Sequence, residues 1–265
     1  MPQPAIRMRG VGMIFSGGRQ APAYQALNDI NLEVHEGEFF CLLGPSGCGK
    51  TSLLNLVAGF VRPTEGTVEI GGQSVTGPDR ERGVVFQSDR ALFDWLTVEE
   101  NVSFGPRMRG VPEREWRGPV EAMLSLVGLA DHSAKLPREL SGGMKQRVQI
   151  ARVLANNPDI LLMDEPFAAL DAYTRGHMQK EVTRIWDASR RTVLFVTHDI
   201  AEAIWLADRI GIMTRGPGSR IREIFDVDLP RPRERMTDGF IDLFNRLSVA
   251  IDAEAGYRSA REAAE

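Results

Sequence analysis

Residues 44 to 51, Gly-Pro-Ser-Gly-Cys-Gly-Lys-Thr, fit the pattern G-x-x-x-x-G-K-[ST]. The chemistry this spacing serves is phosphate binding. Glycines let backbone N–H groups turn inward around phosphate oxygens, and a helix starting at the lysine adds the partial positive charge of its N-terminus. Lys50 would reach the β and γ oxygens of a triphosphate, and Thr51 would offer its hydroxyl to Mg2+. Gly44, Pro45, Ser46, Gly47, Cys48, Gly49, Lys50, Thr51 and Ser52 together form the candidate nucleotide contact, with ATP and Mg2+ as the implied ligands.

A second chemical feature is the apolar run Ile160-Leu-Leu-Met, which ends in Asp164 and Glu165. A buried strand ending in two carboxylates places Asp164 near the magnesium, holding a metal-bound water. Glu165 lies one position further toward the γ-phosphate, where it would orient or deprotonate the attacking water. A third is Ser141-Gly142-Gly143 at the head of the helical run 144 to 155. That is another helix start suited to phosphate.

Such loops need rigid elements to hold them. Phe39 to Leu43, Val84 to Phe86, Ile160 to Met163 and Val193 to Val196 are short apolar runs, the mark of strands covered on both faces. They alternate with helical stretches, which predicts a parallel α/β core. Residues 26 to 34 alternate apolar and polar, and Gly66 to Val75 reads as strand, Gly-Gly turn, strand, so an antiparallel lobe is expected near the N-terminus. The segment from about Leu96 to Asn157 reads almost wholly helical, with Thr97-Val-Glu-Glu100 as a capping box and Val120 to Leu129 at helical spacing. After Phe225 comes Pro230-Arg231-Pro232-Arg233, then a helix-like stretch with Phe240, Leu243, Phe244 and Leu247.

Composition narrows the partners. Among 265 residues, 32 Lys and Arg stand against 36 Asp and Glu for a net charge of −4, so there is no basic field to attract nucleic acid. Cys41 and Cys48 have no companions at zinc-ligand spacing, which leaves reduced cytosol as the expected compartment. No signal peptide and no apolar run of about 18 residues is present, so a membrane role would need a pore from another protein.

Leu140-Ser-Gly-Gly-Met-Lys-Gln-Arg147 resembles the signature motif of ABC ATPases. The resemblance implies a P-loop NTPase core of mainly parallel strands (RecA-like), with an N-terminal antiparallel β lobe and a helical subdomain inserted at about 96–157. The ATPase domain would span 1–235 and a C-terminal helical tail 236–265. It also implies that two copies pack head to tail, with Ser141, Gly142, Gly143 and Gln146 of one closing on the γ-phosphate held by Lys50 of the other. Gln87 matches the Q-loop, sensing magnesium and γ-phosphate, so that Thr51, Gln87 and Asp164 form the metal set. Asp171 matches the D-loop at the dimer interface, His198 the switch histidine, and Phe15 the aromatic against adenine. Glu165, His198 and Gln87 are thus the catalytic candidates.

Within the family, Gly77-Pro-Asp-Arg80, Gly83-Val-Val-Phe-Gln87, Ala91 to Val98, Asp164 to Asp171 and Arg231-Pro-Arg233 together resemble importers for nitrate, sulfonates and taurine. That resemblance implies transmembrane permease subunits, a periplasmic substrate-binding protein, and a place at the cytoplasmic face of a bacterial inner membrane. Only about 40 residues follow Phe225, too few for the added regulatory domain of sugar-type importers. The chain departs from the pattern at Asp94, where the family usually has Pro, at Ala168, often Gly, and in reading Lys-Thr-Ser after the loop glycine. Asp94 falls where the permease's coupling helix would dock, and Phe93 and Trp95 are the expected contacts. An importer for another substrate, or a soluble non-transport ABC ATPase, stays open as an alternative.

Overall fold

The computed structural model describes residues 3–16, 22–87 and 91–255. The chain divides into two compact units, one made of residues 1–79 with 192–265 and one of residues 80–191.

The first unit holds two sheets. In the antiparallel one, β1 (Ile6–Phe15) lies between β2 (Tyr24–Val34) and β4 (Glu65–Ile70), with the short β5 (Gln73–Ser74) at the edge. Gly71 and Gly72, both at positive φ, make the hairpin turn between β4 and β5, the expected use of a Gly-Gly pair. In the other sheet β3 (Phe39–Leu43), buried at all five positions, runs parallel to β8 (Thr192–Thr197) on one side and β9 (Arg209–Met213) on the other. Strand β10 (Ile221–Asp226) closes the β9 edge in antiparallel pairing. Strands β1, β9 and β10 were not foreseen from the sequence. Helices α1 (Lys50–Ala58), α6 (Ile200–Leu206) and α7 (Asp238–Ala255) complete this unit. Phe240, Leu243 and Leu247 form the buried stripe of α7.

In the second unit β6 (Arg82–Val85) and β7 (Ile160–Asp164) pair in parallel, from Arg82 opposite Ile160 to Val85 opposite Met163. Around them stand α2 (Val98–Met108), α3 (Glu113–Leu126), α4 (Gly142–Ala155) and α5 (Ala172–Ser189). The capping box is present: Glu100 N donates to Thr97 Oγ1 at 3.2 Å and Thr97 N to Glu100 Oε2 at 2.9 Å. Within the segment read as almost wholly helical, the stretch between α3 and α4 is the exception. It makes only two 3-10 turns, Ala130–His132 and Pro137–Glu139, because Gly128 at φ +66 ends the helical path and Pro137 resets it. Buried Asn101 secures the loop before α2, accepting from Phe93 N at 2.9 Å and donating to the carbonyls of Phe93, Leu96 and Thr97 at 3.1, 3.0 and 3.0 Å.

Candidate nucleotide site

The glycine loop leaves the end of β3 and enters α1. Gly47 (φ +78) and Gly49 (φ +88) adopt left-handed backbone, which turns their neighbours' N–H groups to one side, and a Cβ on Gly49 would stand 2.8 Å from Leu27 Cδ2. Around Gly47 a Cβ would meet nothing within 4 Å, so this side of the loop is open to a ligand. Helix α1 starts without a side-chain cap and without an acidic residue in its first turn. Lys50 is buried, and its Nζ donates to Gly44 O at 2.7 Å and Pro45 O at 3.0 Å, so the ammonium sits in the mouth of the loop. Burial pushes the Cys48 thiol above its ordinary range, which keeps it neutral. The loop therefore offers donors, one cation and no anion, and a phosphate chain fits it. Ser46 and Thr51 are exposed at its rim.

Two more candidates lie in this unit. Phe15, 43% exposed, ends β1 directly opposite Tyr24, 46% exposed. Tyr24 is an aromatic the sequence reading passed over, since only the strand register reveals it beside Phe15. His198 is exposed at the end of β8. Its neighbours are fixed: Asp199 N donates to Thr197 Oγ1 at 3.0 Å, and Asp199 Oδ1 caps α6 by accepting from Glu202 N at 3.0 Å.

The second unit carries the carboxylates. Asp164 is buried at the end of β7, and Glu165 follows at φ +44, a left-handed conformation rare for a side chain with a Cβ. Gln87 Nε2 donates to Glu165 Oε2 at 3.3 Å, so two of the candidates chosen on sequence meet in space. Gln146, a third, is 1% exposed in α4, and its amide donates to Phe86 O at 3.1 Å. That bond holds the backbone immediately before Gln87.

Ser141 caps α4, its Oγ accepting from Met144 N at 3.3 Å, and no acidic residue stands in the first turn. Gly142 faces open space, whereas a Cβ on Gly143 would lie 3.2 Å from Ala169 O. The glycine-led helix start thus packs on the segment that leads to Asp171. Asp171 in turn caps α5, accepting from Thr174 N at 3.0 Å and Tyr173 N at 3.1 Å, and the Thr174 N–H chiefly holds its carboxyl below the usual range.

Among the described residues no group of three or more His, Cys, Asp or Glu side chains is placed to hold a metal. Mg2+ does not need one, since it is commonly held by one or two carboxylates or hydroxyls with waters and substrate phosphates. Thr51 carries a hydroxyl and Asp164 a carboxylate of that kind, and Gln87 has an amide oxygen.

The second unit also carries an open groove of about 500 Å3. Arg80, Arg82, Arg109 and Arg152 line it with Phe93 and Phe104. Phe93 is half-buried rather than fully on the surface, because Phe104 packs on it at 4.5 Å between ring centroids and the Arg152 guanidinium lies 5.4 Å from its ring. Trp95, at 5.3 Å from Phe93, is 74% exposed.

A sequence profile for ABC transporters matches residues 27–168, a stretch that holds the glycine loop, Gln87, the Ser141 helix start and Glu165. The chain is 49% identical over 216 residues to the taurine import ATP-binding protein TauB of Jannaschia sp. (strain CCS1), covering 80% of this chain and 79% of that one. It is 51% identical over 223 residues to the bicarbonate transport ATP-binding protein CmpC of Synechococcus elongatus, covering 83% of this chain but 33% of that longer protein. A solved dimeric ATP-binding cassette in a post-hydrolysis state, bound to ADP and Pi, matches with a TM-score of 0.74 at 32% identity, covering 84% of this chain and 98% of that one. Loop, acidic strand end and glycine-led helix start fall inside a profile that spans more than half the sequence, and on these grounds the chain belongs to the ABC transporter family.

Proposed function

We propose that this protein is the ATP-hydrolysing subunit of an ABC importer and that its working form is a dimer of two copies. The observation that carries the reading is the presence of two phosphate-suited helix starts, at Lys50 and at Ser141, in separate units of one chain. A single triphosphate on Gly44 to Ser52 uses the first. The second then serves a nucleotide on another copy, an arrangement supported by the dimeric cassette to which this chain is similar.

In this reading Phe15, with Tyr24 opposite, stacks on adenine. Lys50 and the loop N–H groups hold the phosphates, and Thr51, Asp164 and Gln87 hold Mg2+, whose charge neutralises the β and γ oxygens. Glu165, steadied by the Gln87 amide, orients or deprotonates the attacking water, and His198 contacts the γ-phosphate. Ser141, Gly142 and Gly143 of the partner close the site. Gln146 acts at one remove, by fixing the Phe86 carbonyl and so the start of the Gln87 loop.

No helix among the described residues is long and apolar enough to cross a membrane, and in this reading transmembrane permease subunits form the pore. The groove between Arg80, Arg109 and Arg152, floored by Phe93 and Phe104, suits a permease segment bearing carboxylates and an apolar side chain, and exposed Trp95 extends the contact. The subunit would work at the cytoplasmic face of a bacterial inner membrane, with a periplasmic binding protein choosing the cargo. Taurine, nitrate and alkanesulfonates are the cargo candidates, and the similarity to CmpC adds bicarbonate. All are small anions.

Lys50→Ala tests the loop assignment: purified protein should lose ATP binding and turnover, and normal ATPase activity in that variant would overturn it. Glu165→Gln should retain ATP and accumulate dimers, read by light scattering with and without Mg·ATP. A variant that stays monomeric with ATP bound would refute the shared site.

A further inference from the structure

Arg231 and Arg233 follow β10, and the proposed chemistry uses neither. Both turn onto the end of α6. That helix has seven residues and no basic side chain in its last turn, so its terminal carbonyls need partners from elsewhere. Ala203 O accepts from Ala207 N at 2.9 Å. Ile204 O and Trp205 O accept from Arg233 Nη1 at 2.8 and 3.2 Å, and Leu206 O from Arg231 Nη2 at 2.5 Å. All four last carbonyls are thereby satisfied, three of them by two imported guanidinium groups.

Arg233 does more than cap. It is 5% exposed and donates as well to Ala207 O at 2.6 Å and to Val227 O and Leu229 O, each at 3.3 Å. The Arg231 guanidinium pairs with the Asp208 carboxylate, which also accepts from Phe39 N at 2.9 Å at the start of β3. Arg235 lies 5.5 Å from the Trp205 ring centroid. A planar, permanently charged fork satisfies several carbonyls at once and opposes the negative end of the helix dipole, which a lysine does less well. At its other end α6 is capped by Asp199, whose N–H is held by Thr197 Oγ1. His198 is the residue between those two anchors. Seven residues at about 1.5 Å each span only about 10 Å, so the two ends of α6 belong to one short element and fixing one end restricts the other.

We propose that Arg233, assisted by Arg231, is a positioning residue for His198: by fixing the C-terminal end of α6 it sets where the imidazole stands at the N-terminal end. The proposal rests on the reading of His198 as the γ-phosphate contact. A merely structural clamp would change stability alone, so the two roles separate in a double-mutant cycle.

The test uses full-length protein as wild type, H198A, R233A, R233K and H198A/R233A, with steady-state kcat and KM for Mg·ATP and a thermal melt of each. R233A should lower kcat about tenfold with KM changed less than about twofold, and R233K should recover part of the loss. In the H198A background the same substitution should lower kcat by less than about twofold. An equal loss with and without His198 would overturn the positioning role while leaving the His198 assignment intact. H198A turning over at the wild-type rate would instead refute that assignment and the proposal with it. Should R233A not fold, R231Q replaces it in the same cycle, since Arg231 is partly exposed; the expected loss is then about threefold, with the same requirement that it vanish without His198.

Discussion

In the proposed reading Glu165 joins a chemical role to a backbone cost, and substitution can separate the two. At φ +44 a residue with a Cβ stands in left-handed backbone, which costs about 1–2 kcal/mol relative to glycine. Glycine brings an opposing loss of about 0.4–1 kcal/mol, because it frees the unfolded chain. The net for Glu165→Gly against Glu165→Gln is then about 1 kcal/mol in favour of glycine, or a melting temperature higher by about 2–4 °C for a protein of this size. Gln is the right reference because it too lacks the carboxylate and keeps the side-chain volume. The bond from Gln87 Nε2, at 3.3 Å and from an exposed side chain, adds little to either side of the comparison. Both variants should lose about 10²–10⁴-fold in ATP turnover, the usual contribution of a general base. Calorimetry and a phosphate-release assay read the two quantities on the same samples. If E165G melts no higher than E165Q, the backbone at 165 is not strained and the stability argument fails. If either turns over like wild type, a different group handles the water.

Two further outcomes follow from single residues. The Asp171 carboxyl is held below the usual range by the Thr174 and Tyr173 N–H groups, so its stabilising effect is complete above the ordinary aspartate range and is lost as pH falls through its lowered native value. Melts of wild type and D171A should therefore differ most at neutral pH and converge in acid; a gap that widens on acidification would contradict this. Arg80 lines the groove with its side chain 77% exposed, and R80E should lower recovery of permease subunits in co-purification about tenfold without altering the melt. Undiminished recovery would place the permease elsewhere.

The buried strands β3, β7 and β8 were legible because each is an apolar run with no competing pattern; β6, Arg-Gly-Val-Val, was found through Val84 and Val85 but has only Val85 buried, not the full burial expected for Val84 to Phe86. Strand β1 was not, since its alternation breaks where the pairing register with β2 shifts between Met8 and Val11. In β9 the apolar run is split by Gly211, which leaves room for the ring of Phe40, where a Cβ would stand 2.9 Å from Phe40 Cζ. Strand β10, Ile-Arg-Glu-Ile-Phe-Asp, lies at a sheet edge and keeps only Phe225 buried, so it reads as polar. The candidate site residues could be picked out because the motifs that carry them are short and contiguous. What spacing does not convey is side-chain direction. Nothing in Gly142 to Arg147 announces that the Gln146 amide is turned inward to Phe86 O, and nothing in Pro230 to Arg233 announces that its two arginines donate to the carbonyls of Ile204, Trp205, Leu206 and Ala207.

The helix starts carry an argument that motif spacing alone does not. Helices α2, α5 and α6 are capped by Thr97, Asp171 and Asp199, with carboxylates at the cap or in the first turn, and α3 and α7 have acidic residues in their first turns. Among the helices of the described residues, only α1 and α4 have none in either place. A helix that supplies its own carboxylate has answered its exposed N–H groups and its dipole; one that lacks it is suited to an anion from outside. Ser141→Asp removes that distinction at α4 alone. Aspartate caps as well as serine, and its charge adds about 0.3–1 kcal/mol at a helix start, so the folded chain should be as stable or slightly more so. Facing a γ-phosphate at about 4 Å, the same charge costs roughly 4 kcal/mol at an effective dielectric constant of about 20, or about a thousandfold in affinity. ATP binding to the isolated subunit, on the glycine loop, should be unchanged while ATP-driven dimerisation is lost. If S141D weakens binding to the monomer equally, the Ser141 helix start serves its own chain's nucleotide and the shared site is wrong.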